Sequence, residues 1–142
     1  MNFTPEQIKK YKDLHKGLKM EDALKPILEN KFGELNKTKQ YDSFDFINDN
    51  YVLELKTRNA NWGQYPSLMF NESKLNKAKE IKDKDVYFFW KLKDGLYYWK
   101  YKEGEYNINM GGRTDRGKHE INRCAFINNE YIKNYNDLVL TN

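Results

Sequence analysis

The strongest constraint in this chain is a change of hydrophobic period. From Pro5 to Phe32 the apolar residues Ile8, Tyr11, Leu14 and Leu18, then Met20, Leu24, Ile27 and Leu28, recur at helical spacing. From Ser43 the period becomes two. Phe44 and Phe46 alternate with Asp45 and Ile47, and after Asn48-Asp49-Asn50 comes the run Tyr51-Val52-Leu53-Glu54-Leu55-Lys56. Two short extended runs around an Asn/Asp turn predict a β-hairpin.

Thr4-Pro5 supplies an N-cap and first-turn pair for the opening helix. Gly17 and Pro26 interrupt it, and because an interior proline removes a ladder hydrogen bond the expectation is two helical pieces. Asn59 to Pro66 reads as a loop around Trp62, and Ser67 to Ile81 returns to helical spacing through Leu68, Leu75 and Ala78. Asp85 to Leu92 and Leu96 to Tyr101 are aromatic-rich strands joined by Lys93-Asp94-Gly95, which predicts a second hairpin. Gly111 to Lys118 is a polar, glycine-rich loop, followed by apolar runs at Cys124 to Ile127 and Leu138 to Leu140. This order implies an α/β (α+β) fold with a central mixed β-sheet flanked by helices. At 142 residues, one domain over 1–142 is expected, since two would each be marginal in size.

Composition narrows the function. Lys and Arg outnumber Asp and Glu by 25 to 21, a mild bias toward polyanions. No apolar run approaches the roughly 20 residues of a membrane span, and Met1-Asn2-Phe3-Thr4-Pro5 lacks the basic-then-apolar layout of a signal peptide. The expectation is an intracellular protein of cytoplasm or nucleus, not secreted and without a membrane partner. The single cysteine, Cys124, excludes an internal disulfide, and His15 and His119 are too few and too far apart for a zinc site. Phosphate-binding glycine motifs and a nucleophile elbow are absent, which removes nucleotide hydrolysis and acyl transfer.

One constellation bears chemistry. Side chains two apart on a strand share a face, so Glu54 and Lys56 lie on one side and Leu53 and Leu55 on the other, toward the core. If Asp49 and Asn50 are the central turn residues, positions summing to 99 pair, which sets Asp45 across from Glu54 and puts Phe44 and Phe46 on the face of Leu53 and Leu55. Two carboxylates then converge beside one ammonium. Like charges this close raise one another's pKa unless a cation sits between them. Hard oxygen ligands suit Mg²⁺ or Mn²⁺, which can polarise a phosphodiester and activate water near neutral pH. Lys56 is placed to orient or deprotonate that water.

With these residues the chain resembles the PD-(D/E)XK nuclease superfamily, in its resolvase-like, phage and viral branch. Phe44-Asp45 stands for the Pro-Asp dipeptide and Glu54-Leu55-Lys56 for the E-x-K element on the next strand. The usual proline is absent. Gly17-Leu18-Lys19-Met20-Glu21 looks like the G-x-x-x-E start of such nucleases, which makes Glu21 a supporting carboxylate. The resemblance spans roughly Gly17 to Tyr101. It implies a restriction-endonuclease-like core and a Mg²⁺- or Mn²⁺-dependent endonuclease that cleaves DNA. Asp45, Glu54 and the backbone carbonyl of Leu55 would hold the metal, and Lys56 would act on the water. Arg58 would reach the scissile strand, with Trp62 and Tyr65 placed to stack on an unpaired base. Arg113, Arg116 and Lys118, in a loop similar to one of viral nuclease-like proteins, would hold phosphates. So small a domain has little surface for reading bases, so specificity would come from DNA structure, a homodimer partner or a larger assembly.

Bland readings stand beside these. Glu72-Ser73-Lys74 and Glu80-Ile81-Lys82 also match E-x-K but sit in a predicted helix, and Glu54 and Lys56 have the alternative of an exposed charged strand face. Glu21 competes with Asp22, Glu29 and Glu34, and the Gly111 to Lys118 loop with an ordinary solvated loop. The alternative functions are a non-catalytic nuclease fold serving as a DNA-binding or structural component of a virion, and an interaction domain presenting the aromatics of Tyr87 to Trp90 and Tyr97 to Tyr101.

Overall fold

The computed structural model describes residues 4–38, 44–112 and 121–140. Helix α1 (Pro5–Phe32) is followed by β1 (Asn36–Lys37), β2 (Phe46–Ile47), β3 (Tyr51–Thr57) and β4 (Ser67–Asn71), then α2 (Glu72–Glu80). The hairpin β5 (Asp85–Leu92) and β6 (Gly95–Lys100) comes next, then β7 (Asn107–Gly112), β8 (Ile121–Asn128) and β9 (Lys133–Asn134). One sheet has the order β1-β2-β3-β5-β6-β9 and a second the order β4-β8-β7. The first is mixed: β3 and β5 are parallel, from Tyr51 opposite Asp85 to Thr57 opposite Lys91, and the other neighbours are antiparallel. This is the α+β architecture expected, with a mixed sheet at its centre.

Three layers result. Leu24, Leu28 and Phe32 of α1 pack with Phe46, Leu53, Leu55, Tyr87, Phe89 and Tyr98 on one face of the large sheet. On its other face Val52, Val86, Phe88, Trp90 and Trp99 meet Leu68 and Phe70 of β4, Leu75 and Ala78 of α2, and Ala125 and Ile127 of β8. Both faces of β3 are therefore covered. The aromatics of the β5–β6 hairpin, Tyr87 to Trp90 and Tyr97 to Trp99, are buried, which removes the interaction domain built on their exposure. No described helix is long and apolar enough to cross a membrane.

Two predicted helices differ from what forms. The expected break near Gly17 and Pro26 does not occur, and α1 runs unbroken for 28 residues. Pro26 is exposed, on the water side of the helix, while Leu24 and Leu28 on either side of it are buried and tie α1 to the sheet. The start of α1 is as read: Thr4 and Gln7 form a reciprocal capping box ahead of Pro5. The helix predicted from Ser67 begins only at Glu72. Ser67–Asn71 is a strand because Leu68 and Phe70 also alternate with period two and pair with Ile127 and Ala125 of β8, partners more than fifty residues away.

Candidate active site

The hairpin register is the one the turn predicts, with Phe46 opposite Leu53 and Ile47 opposite Val52. It changes at Asp45. The Asp45 N–H donates to the carbonyl of Leu53 at 3.0 Å, and Leu53 is already the partner of Phe46. Two residues of one strand thus oppose one of the other, which is a β-bulge. The bulge corrects two expectations. Asp45 is displaced from the position directly across from Glu54. Phe44 is turned to the face opposite Phe46, where its ring lies edge-on to Phe88 with centroids 6.2 Å apart.

The displaced aspartate still reaches its partners. Asp45 Oδ2 accepts the Leu55 N–H at 2.7 Å, and the Asp45 carboxyl lies close enough to those of both Glu54 and Glu21 to hold them above the usual carboxylate range. A strand residue sends its N–H and C=O to the same edge, so the Leu55 carbonyl leaves β3 on the side where Asp45 stands. Glu21 comes from α1, packed across the sheet, and Lys37 Nζ of β1 lies 3.9 Å from its Oε2. Four elements thus supply the cluster: α1 gives Glu21, the chain entering β2 gives Asp45, β3 gives Glu54, Leu55 and Lys56, and α2 gives Lys74.

Glu54 is 2% exposed, so it is not part of a solvated strand face. It lies on the same side of β3 as Val52, toward α2 and the small sheet. Lys74 Nζ is 2.8 Å from Glu54 Oε2, an ion pair without hydrogen-bond alignment, and among the described residues no other donor is aimed at that buried oxygen. Burial and then the neighbouring Asp45 push the Glu54 carboxyl up to about 8, against the pull of Lys56 and Lys74. Glu21 is pushed up to about 7 by burial and then by Asp45, against the pull of Lys37. Burial and the neighbouring Asp45 thus act together against the charged forms of Glu21 and Glu54.

A cation among these oxygens would offset that cost. Among the described residues, no three Asp, Glu, His or Cys side chains are gathered into a metal cage. Two carboxylates with a main-chain carbonyl need no third side chain, and a carboxyl as buried as Glu54 beside Asp45 fits a donor set that a cation completes. Oxygen donors alone favour Mg²⁺ or Mn²⁺ over softer ions.

The remaining expected residues divide. Arg58 continues the row of Glu54 and Lys56 on β3 and is half-buried, its Nη1 donating to the Thr57 carbonyl at 3.1 Å. Trp62 is partly buried, with one face of its ring stacked on Tyr97, centroids 4.5 Å apart and planes 10° from parallel. Tyr65 is 55% exposed. Arg113, Arg116 and Lys118 lie outside the described residues, as does His119. Cys124 is buried, as a small hydrophobe would be. Lys74 was missed, because its E-x-K triplet was set aside as helical. The signal lay in the helix period: Lys74 and Ala78 are one turn apart, and Ala78 faces the core.

A family model described as "phage putative PDDEXK endonuclease" matches residues 9–129. No curated protein and no solved structure matches the chain.

Proposed function

The chain belongs to the phage PDDEXK endonuclease family, and from that premise we propose that it is a divalent-metal-dependent phosphodiesterase that cleaves DNA at Asp45, Glu54 and Lys56. The observation that supports this reading most is the approach of Asp45 to both Glu21 and the buried Glu54, with Lys37, Lys56 and Lys74 beside them.

Asp45, Glu54 and the carbonyl of Leu55 are the groups that would hold Mg²⁺ or Mn²⁺. When bound, the cation polarises the phosphodiester and stabilises charge that builds on its oxygens. The chain's own residues do the rest. The bulge turns the Asp45 carboxylate toward β3, where the Leu55 N–H fixes it. Glu21 stands beside Asp45 on the helix side and limits its rotation. Lys56, two residues beyond Glu54 and half-exposed, orients the attacking water and balances the charge of the hydroxide formed from it. Arg58, next in the same row, contacts a phosphate of the scissile strand, and Arg113, Arg116 and Lys118 add further phosphate contacts. Selection among substrates rests on DNA shape, on a second copy or on a larger assembly.

The test is to incubate linear, nicked and branched DNA with Mg²⁺ or Mn²⁺ and to compare wild type with Asp45→Ala and Lys56→Ala. Both substitutions are expected to abolish cleavage. Cleavage that persists in both removes the site assignment.

A further inference from the structure

We propose that Lys74 is a positioning residue for Glu54: reaching from α2, it holds one carboxylate oxygen and so presents the rest of the group to Asp45 and to a divalent cation. The inference rests on the nuclease reading above and adds to it a cation from outside the hairpin.

A carboxylate taken almost entirely out of water keeps its charge only beside a compensating one. Glu54 is in that position, 2% exposed and between the large sheet and the layer formed by α2 and β4. The cations acting on it are Lys56 and Lys74, and they arrive differently. Lys56 is on the same strand, two residues away, and its reach to the open end of the row suits it to water and phosphate. Lys74 comes from a separate element, its Nζ 2.8 Å from Glu54 Oε2 and 5.8 Å from the centre of the Phe44 ring. Its side chain is 23% exposed, so the aliphatic stem lies along the apolar layer and only part of it meets solvent.

The bulge explains why Phe44 is there to meet it. By turning Phe44 to the α2 side, the bulge sets its ring beside the Lys74 ammonium, and the same bulge brings the Asp45 carboxyl to the Leu55 N–H and within reach of Glu54. One backbone irregularity thus places a neighbour of Lys74 and a neighbour of Glu54. An ammonium is a point charge that needs no fork alignment to act, which fits a close ion pair without hydrogen-bond geometry. Groups that orient a metal-ligating side chain from behind typically contribute about 10–100-fold to metal affinity.

The experiment measures Mn²⁺ binding to the full chain, by the electron paramagnetic resonance signal of free Mn²⁺, for wild type, Lys74→Met, Lys74→Gln and Lys74→Arg, with a metal-free thermal melt of each as the check on folding. Lys74→Met and Lys74→Gln are expected to bind Mn²⁺ about 10–100-fold more weakly, and Lys74→Arg, which keeps the charge, to recover most of the loss. The glutamine variant keeps length and polarity and decides the matter if the methionine variant does not fold. Wild type that binds Mn²⁺ while a folded, uncharged Lys74 variant binds it equally well overturns the role of Lys74 alone. An arginine variant as weak as the uncharged ones overturns it too. Wild type that binds no Mn²⁺ brings down the nuclease reading and this inference with it.

Discussion

Glu54-Leu55-Lys56 and Glu72-Ser73-Lys74 share one three-residue pattern and end in opposite arrangements. On β3, residues two apart point the same way, so Glu54 and Lys56 stand in one row. On α2 they are about 200° apart, so Glu72 turns to the surface and pairs with Arg123 at 3.0 and 3.1 Å, while Lys74 turns inward to Glu54. The pattern on its own says nothing; the period of the element that bears it decides whether acid and base cooperate or part. The helical copy nevertheless supplies one residue to the site, and does so because its two charges separate.

The largest effect expected from this difference is on cleavage. Lys56→Met should lower the rate by about 10²–10⁴-fold, the usual contribution of a positioned proton-transfer group, whereas Glu72→Ala should leave it unchanged. Single-turnover cleavage of radiolabelled DNA checks both, and comparable losses in the two variants would break the distinction between strand and helix copies.

Next in size is a loss of stability, because the strand copy depends on register and the helix copy does not. Phe46 is fully buried opposite Leu53 and is the residue against which the bulge is formed. Phe46→Ala should cost about 3–5 kcal/mol, the range for truncating a buried phenylalanine, as read from urea denaturation. It should also lower Mn²⁺ affinity, since Asp45 loses its fixed place.

A smaller effect follows from pH. Glu54 at about 8 and Glu21 at about 7 stand above the ordinary carboxylate value of 4.5. The folded chain therefore binds these protons more tightly than the unfolded chain, and stability falls as pH rises from about 4.5 toward 8. Metal-free melting temperatures should decline across that window. Glu54→Gln should flatten the decline while abolishing cleavage. Mg²⁺ should raise the melting temperature at pH 8 and hardly at all at pH 5, because protons and cation compete for the same oxygens. A flat metal-free profile in wild type would mean that the two carboxyl groups are not raised.

Much of this was legible in the residues because it is local. The turn Asn48-Asp49-Asn50 fixes which residues of β2 and β3 pair, and Asp85 to Tyr101 fixes the second hairpin. What escaped is set by distant partners. Ser67–Asn71 becomes a strand only because β8 lies beside it, and α1 passes through Pro26 only because Leu24 and Leu28 are held by the sheet. The bulge at Asp45 inserts one residue without any glycine to announce it, so the alternation that placed Phe44 beside Leu53 is broken by one hydrogen bond. Lys74 required knowing that α2 lies over Glu54, which a period cannot reveal.

The smallest expected effect concerns the outward half of the helical triplet. Glu72 and Arg123 meet in a two-point pair at the surface, with side chains 26% and 64% exposed. Arg123 beside it holds the Glu72 carboxyl below its usual range, yet both groups are open to water and salt, where such pairs contribute little. Glu72→Ala, Arg123→Ala and the double variant should melt within error of wild type at physiological salt, with a small coupling emerging only at low ionic strength. The inward half gives the contrast, since Lys74→Met should change Mn²⁺ binding at every salt concentration because water cannot replace the ammonium beside a buried carboxylate. If the Glu72–Arg123 coupling instead persisted at high salt, the start of α2 would be anchored to β8 by that pair. The reach of Lys74 to Glu54 would then depend on it, and the two halves of the triplet would act together.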